Sequence, residues 1–278
     1  MNLLDALLLG IVEGLTEFLP VSSTGHLTIV EKLLGLQVDD RGVTAFTALI
    51  QVGAIAAVLV YFSRDIISLA AAWFRGLAHP EARQEPSYRL AWYVIAGSIP
   101  IGIVGFVAQD IISGPLRNLW VVAAGLVVWS AFMYWAERVG RQTRGESELR
   151  LKDVLIIGFL QCIALVPGVS RSGATITAGL FLGLDRVTAT RLSFFLSIPA
   201  LVAAGAYQGL TATAEISSSV GWVPTALATL VSFLVAYAAI AWLLRFVAGH
   251  SISLFIPYRL LVAAVLVIAL GTGTLSAT

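Results

Sequence analysis

Glu13-Gly-Leu-Thr-Glu17-Phe-Leu-Pro20-Val-Ser-Ser-Thr-Gly25-His26 is followed, 148 residues on, by a partial copy of itself: Gln161-Cys-Ile-Ala-Leu-Val-Pro167-Gly-Val-Ser170-Arg171-Ser-Gly173-Ala-Thr175. Laid over one another, Val21-Ser22-Ser23-Thr24-Gly25 falls on Val169-Ser170-Arg171-Ser172-Gly173. Both stretches put polar and charged residues in the middle of apolar segments. Ionisable residues at membrane depth are costly, so they mark a functional site by default. The duplication implies that each half of the chain supplies half of one site.

Membrane depth is inferred from composition. Hydrophobic residues make up 58% and charged residues 12% of the 278 residues, with a mean hydropathy of +0.91. A soluble domain carries about 25% charged residues. Crossing about 30 Å of hydrocarbon takes about 20 mostly apolar residues. Six runs qualify, at 43–62, 89–108, 119–137, 190–209, 222–245 and 256–275. Segments 2–35 and 151–183 are different, each broken near its middle by Pro, Gly and Ser. Half-helices of 12–16 residues reach only about 18–24 Å, which suits re-entrant hairpins that enter and leave on one side. Irregular backbone at that depth needs protein or a water-filled cavity around it.

The N-terminal segment lacks a basic leader and carries Asp5, Glu13 and Glu17, so it reads as mature structure rather than a signal peptide. Cys162 is the single cysteine and has no metal-ligand company. A net charge of +1 without a basic-aromatic patch gives no sign of a nucleic-acid partner.

With the two broken segments re-entrant, the connections at 63–88, 138–152, 184–191 and 245–259 share one face and, with Arg89 at the edge of the first, hold 13 Arg and Lys residues. The other face has Lys32, Arg41 and Arg117. That bias makes the Arg-rich face cytoplasmic. Each half is then one hairpin plus three spans, and an odd number of spans inverts the second half. The expected fold is an all-α polytopic membrane protein: one membrane domain, 1–278, with six transmembrane helices and two re-entrant hairpins. Its inverted-repeat halves are about 1–148 and 149–278. The stretch 65–79, with Trp73 and Phe74, fits either the cytoplasmic interface or an inward dip, and a full span there would reverse every later orientation. Inverted repeats with broken helices at a central site are common among secondary transporters, so topology alone favours a carrier.

The residues at the breaks point to phosphate chemistry. Glu13 and Glu17 are four apart and project from one helix face. Such a pair shares a proton or holds a hard cation. Ser22 or Ser23 can cap a half-helix that carries Thr24, Gly25 and His26; after Pro167 and Gly168, Ser170 can cap one that carries Arg171, Ser172, Gly173 and Thr175. Hydroxyls and helix N-termini cradle phosphate, and Arg171 adds a planar charged fork. His26 can serve as general base or acid, and Ser23, one turn away, as a nucleophile. Attack by metal-bound water is the rival route, and the sequence leaves the two open.

These two segments resemble the signature motifs of the undecaprenyl pyrophosphate phosphatases of the bacitracin-resistance type, and the resemblance covers essentially the whole chain. It implies removal of the terminal phosphate from undecaprenyl pyrophosphate. That recycles the lipid carrier for peptidoglycan on the outer side of the bacterial inner membrane and confers bacitracin resistance. It also implies a divalent cation, Mg²⁺ or Ca²⁺, held by Glu13 and Glu17. The diphosphate would be gripped by Arg171 with Ser22, Thr24, Gly168, Ser170, Ser172, Gly173 and Thr175. Catalysis would fall to Ser23, His26, Glu17 and Arg171. The partners implied are the polyprenyl substrate and membrane lipid. Small-residue stretches such as 200–206 permit a homodimer.

Two alternatives are weighed against this. The type 2 phosphatidic acid phosphatases need a site histidine downstream of Ser-Arg, and the next one here is His250, in a cytoplasmic connection. A flippase for undecaprenyl phosphate would use the same midplane anion site without hydrolysis.

Overall fold

In a computed structural model the chain is helical, and residues 1–37, 40–211 and 220–277 are described, apart from the side chains at 41, 113, 204 and 207–211. The side chain of Arg41 and part of the 200–206 stretch therefore lie outside the described residues. The helices are α1 (Leu3–Thr16), α2 (Ser23–Leu33), α3 (Arg41–Tyr61), α4 (Ser63–Ala78), α5 (Pro86–Val107), α6 (Gln109–Ser113) and α7 (Leu119–Val139). They continue as α8 (Leu151–Gln161), α9 (Arg171–Phe181), α10 (Arg186–Thr211), α11 (Trp222–Gly249) and α12 (Ile256–Gly271). Among the described residues six stretches are long and apolar enough to cross a membrane: Gly42–Tyr61, Pro86–Val107, Leu119–Val139, Arg186–Ala203, Trp222–Gly249 and Ile252–Gly271. These are the six runs expected from the sequence, with ends shifted by a few residues. The protein is a multi-pass membrane protein.

Helix α4 is not among the six. It starts at the break around Phe62 and packs on α5, where the Trp73 and Trp92 rings lie 5.7 Å apart. Ile67, Phe74 and Leu77 are exposed.

The two broken segments follow one plan. Asn2 caps α1 by accepting from the Asp5 N–H at 2.8 Å, and the chain leaves the helix at Glu17. Pro20 has no N–H to continue the ladder. The chain then turns through Ser22 at φ 78° into α2. In the second half a short 3₁₀ turn, Cys162–Leu165, follows α8, and the chain turns through Ser170 at φ 77° into α9. A side chain with positive φ is strained, and here it recurs at matching positions of the repeat.

Small residues let these short helices sit deep in the bundle. Helix α1 lies along α11, where Gly10 and Gly14 meet Ala228 and Ser232; a Cβ on Gly14 would come within 2.7 Å of the Ser232 carbonyl oxygen. Helix α8 lies along α5 in the same way, Gly158 against Gly97. Close backbone approach of this kind is how helices pack where no hydrophobic force drives them together.

Polar contacts gather the connections at two ends. At one end Glu137 takes Arg186 at 2.7 Å and the Ile252 N–H at 2.8 Å, and Arg191 reaches Asp65 at 3.0 Å. Arg144 bridges the start of α8, at Asp153, to the Leu182 carbonyl after α9. The expected clustering of the connections after α3, α7, α9 and α11 is therefore present. At the other end Lys32 bonds Ser276 at 2.9 Å and Arg117 bonds Thr44 at 3.1 Å. Met1 shares an apolar cluster there with Leu34 and Leu36.

One member of the basic count is misplaced. Arg259, assigned to the 245–259 connection, is completely buried one turn into α12. A positive charge close to a span boundary reads as a loop residue; only the packing reveals that it turns inward.

Candidate active site

The breaks meet in the interior and are bound together through their polar groups. The Gly168 N–H donates to Ser22 Oγ at 3.1 Å, and Ser172 Oγ donates to the Leu19 carbonyl at 2.9 Å. Ser170 Oγ caps α9 by accepting from the Gly173 N–H at 3.2 Å and lies 3.1 Å from Ser172 Oγ. Thr175 Oγ1 is 2.6 Å from Ser193 Oγ and 2.9 Å from the Arg171 carbonyl. Ser22, Gly168, Ser170, Ser172, Gly173 and Thr175, expected to cradle phosphate, are thus already engaged in joining and capping the breaks.

Arg259 holds both breaks at once. Its Nη1 donates to the Pro20 carbonyl at 2.9 Å, Nη2 to the Gly168 carbonyl at 2.9 Å, and Nε to Ser130 Oγ at 3.0 Å. Chain irregularity strands carbonyls where water is scarce, and a guanidinium with five donors in a rigid fork can satisfy several. The signal for this role was present in the sequence only as one more arginine near a span end. At Gly168, φ is +93° and any Cβ would strike the Val122 carbonyl oxygen, so glycine alone fits there.

The charged residues converge from both halves. Arg171 Nη2 reaches Glu17 Oε1 at 2.9 Å, and Ser23 Oγ donates to Glu17 Oε2 at 2.5 Å. Glu17 joins the first half's hydroxyl to the second half's guanidinium. Arg171 Nη1 is buried with no hydrogen-bond partner among the described residues. Buried polar groups are nearly always paired, so an inward-held donor without a partner is suited to an incoming oxygen.

His26 is separated from Ser23. Its Nδ1 is 2.7 Å from the Ser22 carbonyl and its Nε2 is 2.8 Å from the Tyr258 hydroxyl, with the two rings stacked. A carbonyl only accepts, so Nδ1 carries the proton and Nε2 accepts from Tyr258. The expected Ser23–His26 pairing is replaced by Ser23–Glu17. Tyr258 went unnoticed in the sequence, where it is an ordinary aromatic at a span boundary, and Arg259 counted there only as a basic residue of a connection.

Glu13 is 1% exposed, and neither carboxylate oxygen has a hydrogen-bond partner among the described residues. It lines a cavity of about 150 Å³ together with Ser23, Thr24, Thr28, Glu31, Thr47 and Arg117. No group of three or more His, Cys, Asp and Glu converges on a metal position among the described residues. The donor set still fits a hard cation. Mg²⁺ is usually bound by one or two carboxylates plus waters and substrate phosphates, and Glu13 is an unpaired buried carboxylate beside hydroxyls.

Comparison with known proteins identifies the family. Residues 6–265 match the family described as bacitracin resistance protein BacA. The chain is 59% identical over 278 residues, all of both chains, to "Undecaprenyl-diphosphatase 3" of Frankia casuarinae. It is 54% identical over 274 residues, 96% of each chain, to "Undecaprenyl-diphosphatase" of Cutibacterium acnes. It is 48% identical over 279 residues, all of both chains, to "Undecaprenyl-diphosphatase" of a Mycobacterium species. With both breaks, their joining and the full-length match in hand, the chain belongs to the bacitracin resistance protein BacA family.

Proposed function

We propose that the protein is an undecaprenyl-diphosphatase, which hydrolyses undecaprenyl pyrophosphate to undecaprenyl phosphate and inorganic phosphate. The observation that carries the reading is the Ser23–Glu17–Arg171 chain, in which residues of both breaks meet around a buried guanidinium donor with no partner among the described residues. The names of the full-length relatives support the same substrate.

In this reading Arg171 grips the diphosphate through Nη1 and offsets the charge that develops on its oxygens. Glu17 accepts the proton of Ser23 as Ser23 Oγ bonds to the terminal phosphorus. The bridging P–O bond breaks, undecaprenyl phosphate leaves, and water then hydrolyses the phosphoserine. Thr24, exposed at the cavity wall, is placed to contact a phosphate oxygen. His26 holds the first break in shape through the Ser22 carbonyl and Tyr258. A divalent cation, Mg²⁺ or Ca²⁺, would be held by Glu13 and supply charge neutralisation at the diphosphate.

We place the protein in the bacterial inner membrane, with the two broken segments as re-entrant hairpins of an inverted repeat split near residue 148. The Arg-rich end is cytoplasmic, still 12 residues against three once Arg259 is removed from the count. The cavity beside Glu13 then opens outward, where recycling of the carrier lipid would confer resistance to bacitracin. The flippase alternative has no support among the relatives.

The test is phosphate release from a polyprenyl pyrophosphate by protein purified in detergent, with Mg²⁺ or Ca²⁺, with chelator, and with Glu17→Ala. Cation-dependent release that is lost in the variant supports the reading. Release by folded Glu17→Ala at the wild-type rate overturns it.

A further inference from the structure

The sequence pairs Glu13 with Glu17, but the fold separates their tasks. Both Glu17 oxygens are taken, one by Arg171 and one by Ser23, while both Glu13 oxygens lack a partner among the described residues. The carboxylate that shares the cavity with Glu13 is Glu31, brought in from the far end of α2. Glu31 is 4% exposed, and Thr47 Oγ1 donates to its Oε1 at 2.8 Å.

We propose that Glu31 is the second carboxylate of a divalent-cation site in this cavity, across from Glu13, and that Glu17 is not a cation ligand. The proposal rests on the cation requirement of the function proposed above.

Three observations carry it. Glu13 is buried against a polar cavity with neither oxygen hydrogen-bonded among the described residues, which is expensive unless a cation or proton enters. The rest of the wall is oxygen-rich, with Ser23, Thr28 and Thr47, which is the donor chemistry of Mg²⁺ and Ca²⁺ rather than of softer metals. The cavity also holds Arg117, which bonds Thr44 at 3.1 Å. Two carboxylates against one guanidinium leave a surplus negative charge, so the cavity as a whole favours a cation. Ser23 lines it too, so a cation bound here lies beside the hydroxyl that meets the phosphate.

The test is Mn²⁺ binding, followed by electron paramagnetic resonance of the full-length protein in detergent without lipid substrate. It is set beside the Mg²⁺ dependence of phosphate release. The expected result is that Glu31→Gln weakens Mn²⁺ binding by about 10- to 100-fold and raises the half-activating Mg²⁺ concentration in parallel. Glu17→Gln should bind Mn²⁺ as the wild type does while losing turnover. Glu31→Asp, which keeps the charge, should bind more tightly than Glu31→Gln and so guards against a folding defect.

Wild-type Mn²⁺ affinity in Glu31→Gln overturns the proposal. So does loss of Mn²⁺ by Glu17→Gln to the extent seen in Glu13→Gln, which would return the ion to the Glu13–Glu17 pair. If the wild type binds no Mn²⁺ and releases phosphate in chelator, the cation requirement itself fails, which needs no variant to detect.

Discussion

The two breaks share a scaffold and differ in chemistry. Each follows a short helix, each turns through a serine with φ near +78°, and each is sealed by hydrogen bonds to the other. Yet Glu13, Glu17, Ser23 and His26 of the first align with Gln161, Leu165, Arg171 and Ala174 of the second. The first break carries the acid and the hydroxyl, and the second carries the positive charge. A duplicated fold supplies two similar turns at one place, and divergence gives them opposite charge. The Glu17–Arg171 pair crosses the seam at 2.9 Å, and neither half could form it alone.

The largest effect should come from that seam. Glu17→Ala or Arg171→Ala should lower kcat on the order of 10³-fold, since each removes a group that answers transition-state charge or takes the proton. Leu165→Ala, at the position equivalent to Glu17, should leave kcat near the wild-type value. Equal losses in all three, measured by phosphate release, would break the asymmetry.

Arg259→Ala should come next, because it strands the Pro20 and Gly168 carbonyls of both breaks together. Each buried unsatisfied group costs about 1–3 kcal/mol. The thermal unfolding midpoint and activity should therefore fall together, with Arg259→Lys recovering only part, since an ammonium lacks the fork. Gly168→Ala adds a clash with the Val122 carbonyl to backbone strain of about 1–3 kcal/mol at a residue that bonds Ser22, read as a lower unfolding midpoint.

Tyr258→Phe removes one hydrogen bond to His26, worth about 0.5–1.5 kcal/mol, and should lower kcat by a correspondingly small factor. If His26 were instead the base for Ser23, His26→Ala would match Glu17→Ala in kcat while Tyr258→Phe stayed mild, which sharpens the distinction between positioning and chemistry. The smallest effect belongs to Gln161→Leu. Gln161 is buried with both amide atoms unpartnered among the described residues, so an apolar side chain of similar size should leave stability and turnover unchanged or slightly improved.

Much of this was legible in the sequence because membrane folds obey strong constraints. Apolar length identifies the spans, and Pro20, Pro167 and Gly168 interrupt two segments that could otherwise have continued as helices. The residue types in the two copies were enough to point to an anion beside a cation. The roles of individual residues were less legible. The i, i+4 spacing of Glu13 and Glu17 suggests a working pair, but Arg171 and Ser23 occupy Glu17 and leave Glu13 lining the cavity it shares with Glu31. Ser23 and His26, one turn apart, invite a pairing that the Ser22 carbonyl and Tyr258 claim first.

The sequence by itself determined the helices, the breaks and the chemical class of the site, since these depend on local composition and on the cost of polar groups in lipid. Only the tertiary structure decided which partners the polar groups chose. Arg259, Tyr258 and Thr47 reach the site from elements outside the motifs, and Glu31 from the far end of α2, and a buried hydrogen bond depends on distance in space rather than on spacing along the chain. The breaks strand carbonyls that must be satisfied somewhere, but nothing local says that an arginine more than 230 residues after Pro20 does it.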